Sequence, residues 1–297
     1  MDRLVRVAQD QPSFAMTSPP APNETAQPPE TAPPGPAAAT HTGDIRVHEK
    51  IGSRFLPTTR TVLVWLPPGY EAQPERRFPV LYLHDGQNVF DAATAFGGNE
   101  WGVDETAQRL VEEGAIDPLI IVGIYNAGDK RIEEYTPTQD RRKRMGGGGE
   151  QYGYMLFEEI KPMIDSTYRT LGDASNTGLG GSSLGGLLSL HLALRHVGKV
   201  GRVALLSPSV WWDNQFIVRR VRGFQGKPSM RVWLSVGTAE GPDVAEAARR
   251  LREALTSKGW QPDIDFKYVE FEGAGHSEQA WAAQIPEVLR YLFPRQG

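Results

Sequence analysis

The chain has 297 residues, 39% of them hydrophobic and 23% charged, with a formal net charge of −4 and a pI near 5.9. That supplies one large core, and it excludes the concentrated Lys and Arg excess that a nucleic-acid partner requires. The absence of cysteine excludes disulfides, thiolate nucleophiles and Cys-bearing zinc sites.

From the N-terminus, no apolar run approaches the roughly 18 residues needed to cross a bilayer, and no h-region of a secretory signal precedes the first charges. The sequence as it stands therefore predicts a cytoplasmic protein. Residues 11–43 are rich in Pro, Ala, Thr and Glu, with three Pro-Pro pairs, and cannot bury enough surface to offset their ordering entropy. Residues 1–43 read as a disordered Pro-rich tail, and 44–297 as one folded domain.

Residues 45–50 and 61–66 read as an opening antiparallel pair stopped by Pro67-Pro68-Gly69. Residues 80–84 and 119–125 are continuous apolar runs of the kind buried on both faces of a sheet, with a helix near 103–113 between them. A helix over 152–168 precedes a short strand at 176–180, and further strands follow at 202–206, 231–236 and 265–271. Helices near 184–196, 244–258 and 277–293 fill the gaps. Alternation of this kind predicts a mostly parallel sheet with helices on both faces. Too few residues separate the strands at 202–206 and 231–236 for a large cap domain.

The strand at 176–180 runs into Gly181-Ser182-Ser183-Leu184-Gly185, followed by the apolar helical spacing of 184–196. This spells the nucleophile elbow of an α/β-hydrolase fold, where glycines leave room around a serine in a sharp strand-to-helix turn. Only Ser183 fits the frame, because shifting to Ser182 puts Leu184 where the second glycine belongs. A serine hydroxyl needs a base and an acid to hold that base, and in this fold they follow in the order acid, then histidine. His276, in Gly273-Ala274-Gly275-His276-Ser277 after the final strand, has the position of the base. Glu240, after the strand at 231–236, is the first choice of acid. Asp213 is an alternative, and Asp243 reads better as a helix cap. For the oxyanion, the amide of Leu184 and that of Gln87, in the loop after 80–84, are the expected donors, with Asn88 the neighbouring alternative. His84 ends a strand beside this site and could support it by a hydrogen bond. His191 reads as a packed helix residue and His196 as a partner of the helix C-terminus. Trp211 or Trp212, past a strand end, could stack on a sugar or aryl ring. The basic run 141–144 reads as a solvated loop, or as a flap attracting anionic acyl groups.

Taken together, GSSLGGL, LHDGQNVFD, VLVWLPPGY, SPSVWWD and GAGHSEQAW make residues 44–297 resemble the putative-esterase group of α/β-hydrolases. That group includes enterochelin esterase, esterase D and the esterases of carbohydrate esterase family 1. The resemblance implies a serine carboxylic-ester hydrolase with Ser183, His276 and Glu240 as its triad, no metal and no organic cofactor. Its substrates would be small-molecule or carbohydrate-linked esters. Arg131, Glu134 and Tyr135 resemble a recurring R-x-x-E-Y segment, expected to build the site wall. Acyl transfer by the same triad, and a non-catalytic binding module on this scaffold, are the alternative functions.

Overall fold

The computed structural model describes residues 40–140 and 144–295. Its eight strands are β1 Asp44–Ile51, β2 Arg60–Leu66, β3 Val80–His84, β4 Ile120–Ile124, β5 Thr177–Ser182, β6 Arg202–Leu206, β7 Arg231–Gly237 and β8 Phe266–Phe271. They form one sheet in the order β1-β2-β4-β3-β5-β6-β7-β8. β1 and β2 pair antiparallel, as does β2 with β4, and every later pair is parallel. This is the α/β-hydrolase arrangement expected from the alternation of apolar runs.

The pleat sorts the core. In β3, Val80 and Tyr82 join the cluster on one face, while Leu81 and Leu83 join the other. β4 does the same with Val122 and Ile121. Helices cover both faces. α1 (Val103–Glu112) and α9 (Ile285–Leu292) pack Leu110, Val288 and Leu289 on one side. α3 (Gly149–Met155), α4 (Lys161–Thr167), α5 (Leu184–Arg195), α6 (Trp212–Arg222) and α7 (Pro242–Ser257) pack on the other, joined by the short α2 (Arg131–Tyr135) near the strand ends. α8 (Glu278–Ala282) precedes α9.

Three boundaries differ from the sequence expectation. The helix predicted over 152–168 is interrupted by a π-helical stretch, Leu156–Ile160, between α3 and α4. The one predicted over 277–293 is broken between Ala282 and Ile285, where Pro286 sits in the first turn of α9 and pre-sets its φ. Asp243 is not a cap, because α7 starts at Pro242 with Gly241 as its N-cap. The crossover from β6 to β7 is α6 alone, in keeping with the absence of a large cap. Residues 1–39 and 141–143, which hold most of the predicted tail and basic run, lie outside the described residues. At Thr42 the chain is already seated on the domain, its amide donating to Asp104 at 2.5 Å and its carbonyl accepting from the Trp65 indole at 3.0 Å.

Candidate active site

Because β3, β5, β6, β7 and β8 run parallel, the loops that follow them leave the sheet on one side. Ser183 lies between β5 and α5 with φ 54° and ψ −120°, a conformation a non-glycine residue holds only under strain. The neighbouring glycines are needed there. A Cβ on Gly181 would lie 3.0 Å from the Gly185 carbonyl carbon, and one on Gly185 3.2 Å from the Cβ of His84. The Ser183 hydroxyl is within hydrogen-bonding distance of Ser209 Oγ, at 3.2 Å, and is not bonded to His276.

His276 follows β8 in a loop, and its Nδ1 meets Glu240 Oε2 at 2.6 Å. Glu240 lies just past β7, and its side chain is 1% exposed while that of His276 is 43% exposed. Its other oxygen accepts from the Gly237 amide at 2.7 Å and from Ser207 Oγ at 2.5 Å. Burial alone would raise the Glu240 pKa. The bonds from His276, Ser207 and Gly237 outweigh it and hold the carboxyl below its ordinary value. The alternative acids are elsewhere: Asp213 accepts from Thr138 Oγ1 at 2.8 Å, and Asp243 is exposed in the first turn of α7.

Ser183 and His276 line one cavity of about 470 Å³, together with Gln87 and Asn88. Gln87 sits in a single 3-10 turn, Gly86–Asn88, entered through Asp85 at φ 55°. Gly86 makes that turn possible, since a Cβ on it would be 2.4 Å from the Gly123 carbonyl carbon. Among the described residues neither the Gln87 amide nor the Leu184 amide donates a hydrogen bond, while the Leu184 side chain packs into the core.

The two tryptophans are placed differently from expectation. Trp212 is 2% exposed, gives its indole N–H to the Thr138 carbonyl at 2.9 Å and does not line the cavity. Trp211 is 48% exposed and does not line it either. The reason is local: Trp211 is the N-cap of α6, whose entry is wound through left-handed Asp213, Asn214 and Gln215, and this buries Trp212 against the core cluster. The aromatic wall comes from Phe96 and Trp281, which sequence reasoning missed. An isolated Phe between small residues carries no signal for such a role, whereas Trp281, five residues after His276, could have been weighed.

Of the R-x-x-E-Y segment Arg131 lines the cavity, while Glu134 and Tyr135 are buried and do not. Arg131 grips Asp85 with two bonds, at 2.7 and 2.8 Å, and the Tyr135 hydroxyl accepts from the Asp85 amide at 3.0 Å. Glu134 is buried in a two-armed pair with Arg60 at 3.1 and 3.2 Å. Glu278 joins the cavity wall to the 86–101 segment, accepting from Asn88 Nδ2 at 3.1 Å and from the Trp101 indole. His84 is fully buried behind the corner with Nδ1 3.0 Å from the Tyr152 hydroxyl, and burial pushes its pKa down to about 4. His191 is likewise lowered to about 4 by burial. His196 is the C-cap of α5 and packs on Phe157 at 4.8 Å between ring centres, and burial lowers its pKa. Among the described residues, Glu100, Asp104 and Glu105 have metal-ligand spacing, but none lines the cavity. No helix of the described residues is long and apolar enough to cross a membrane.

The uncharacterized protein YbbA of Bacillus subtilis is 27% identical over 250 residues, which is 79% of this chain and 92% of that protein. The endo-1,4-beta-xylanase/feruloyl esterase of Xylanibacter ruminicola is 25% identical over 247 residues, 79% of this chain and 29% of the larger protein. Among solved structures, the IroE-like serine hydrolase of Shewanella oneidensis shares the fold with a TM-score of 0.68 at 22% identity, covering 84% of this chain and 80% of that one. The ferric enterobactin esterase of Salmonella typhimurium does so with a TM-score of 0.69 at 21% identity, covering 85% and 59%. The family model described as "Putative esterase" matches residues 53–292, and the chain belongs to that family of ester hydrolases.

Proposed function

We propose that the chain is a serine carboxylic-ester hydrolase that works through an acyl-enzyme. The observation that carries this reading is the 2.6 Å contact between His276 Nδ1 and a buried Glu240, on the cavity that also holds Ser183 in its strained corner. With Nδ1 committed to the carboxylate, the imidazole keeps its proton there and offers Nε2 as the base. The Ser183 hydroxyl turns from Ser209 toward that nitrogen when substrate binds, since such bonds tighten only in the loaded site. Ser183 Oγ attacks the ester carbonyl as His276 takes its proton. The amides of Leu184 and Gln87 receive the oxyanion, and they suit this because no other group in the described residues occupies them. Collapse of the intermediate expels the alcohol with the proton from His276, and water repeats the sequence to free the acid.

The cavity wall offers neutral amides from Gln87, Asn88, Asn126 and Gln279, and aromatic surface from Phe96 and Trp281. This suits esters whose acyl or alcohol part carries a ring or hydroxyl groups, in line with the relative named endo-1,4-beta-xylanase/feruloyl esterase. Ser183→Ala and His276→Ala are each expected to lower turnover of an activated aryl ester by about 10⁴-fold or more, while Ser182→Ala keeps substantial activity. Near-normal rates for Ser183→Ala would end the proposal.

A further inference from the structure

Behind the proposed acid and base, a short hydrogen-bond chain runs from Trp281 through Ser207 and Glu240 to His276. Ser207, immediately after β6, is 1% exposed and holds φ 43°, an unusual backbone for a residue with a Cβ. Its Oγ lies 2.5 Å from Glu240 Oε1 and 3.1 Å from Trp281 Nε1. The indole N–H can only donate, so the serine oxygen must accept from it and send its own proton to Glu240. Every proton in this chain therefore has one direction. Glu240 Oε1 also takes the Gly237 amide, which leaves Oε2 alone to face His276. Trp281 then returns to the base directly, its ring standing edge-on to the imidazole at 4.8 Å between centres and 86° between planes.

We propose that Ser207 and Trp281 are positioning residues that fix the rotation and the proton affinity of the Glu240–His276 pair. The inference rests on the triad reading of the preceding subsection. Neither residue touches the reacting atoms through its polar group: Ser207 acts through Glu240, and the Trp281 N–H acts through Ser207. Losing the Ser207 proton removes one of two donors from Glu240 Oε1, so the carboxylate holds more charge for the imidazolium and the acid limb of the kcat/KM profile moves to higher pH. The other charged groups around the imidazole are Glu278 from α8, with Arg131 and Asp85 across the cavity. The variants below leave all three in place.

The test uses Ser207→Gly in the full chain, because glycine accepts φ 43° without strain while the hydroxymethyl group, and with it the proton given to Glu240, is removed. A second variant, Trp281→Phe, keeps an aromatic ring but loses the N–H together with part of the indole surface that lines the cavity, so it is read on the pH profile rather than on KM. Each is measured for kcat and KM across pH 5 to 9 on an activated aryl ester, with thermal unfolding as the check on folding and Ser183→Ala alongside. Ser207→Gly is expected to lower kcat by about 10- to 100-fold, the worth of a hydrogen bond to a charged group, with KM nearly unchanged and the acid limb raised. Trp281→Phe moves both in the same direction by less. A folded Ser207→Gly with the parent's kcat and pH profile overturns the proposal. Activity surviving in Ser183→Ala would instead overturn the triad on which it rests.

Discussion

Ser183 is held at φ 54° between two glycines with little room for a Cβ, and the opposite loop is packed more tightly still at Gly86. Gly86→Ala forces a methyl to within 2.4 Å of the Gly123 carbonyl carbon, so the Asp85–Asn88 turn must move off β4. The expected cost is about 1–3 kcal/mol of stability in a urea titration. If the Gln87 amide is an oxyanion donor, kcat falls by about 100-fold as well; a variant with lowered stability and full kcat would remove Gln87 from the mechanism. At this scale the sequence marked positions better than environments. The corner at Ser183 and the contact of His276 with Glu240 were legible because glycine spacing and strand-end loops leave few alternatives. Trp212 was misplaced because an aromatic residue after a strand serves equally well in a core, and one chain of letters does not say which way the turn at Asp213 winds.

Among the elements, α1 carries a conflict that the rest of the fold tolerates. Asp104, in its first turn, is 0% exposed and sits beside Glu105. Burial raises its pKa well above the usual carboxylate range; the Thr42 amide opposes this and the neighbouring Glu105 adds to it. The folded state thus keeps a proton that the unfolded chain releases near pH 4, and stability falls as pH rises from there through the folded pKa. Asp104→Asn retains an acceptor for Thr42 and abolishes the ionisation. Its unfolding midpoint is expected to exceed the parent's by more at pH 8 than at pH 5, as thermal melts at both values would reveal; equal differences would show that Asp104 is ionised in the fold. Elements with strong apolar runs, such as β3 and β6, were legible to the residue. α2, five residues long, and α6, entered through three left-handed residues, were not, because neither presents a clean helical period.

For the molecule as a whole, the buried Arg60–Glu134 pair is what ties the antiparallel edge of the sheet to the site. It joins β2 to α2, and α2 in turn holds Asp85 through Arg131 and Tyr135. Glu134→Ala leaves a guanidinium without its carboxylate at 1% exposure, which typically costs about 3–5 kcal/mol. Denaturant unfolding measures that loss, and replacing both partners with apolar residues is expected to recover much of it. The parallel order of the later strands was readable from the succession of apolar runs alone. The placement of β4 between β2 and β3 was not, since adjacency in a sheet is decided by packing across long separations.

The Glu240 carboxylate is dry, yet nearly half of its imidazole partner, His276, faces water, whereas His84 and His191 are sealed inside. An acylating reagent for imidazoles can therefore reach His276 from bulk solvent while those two rings stay untouched, and a ligand seated over the ring would shield it. Reagent uptake at that one side chain becomes a gauge of occupancy for any candidate ester, readable before turnover is ever measured.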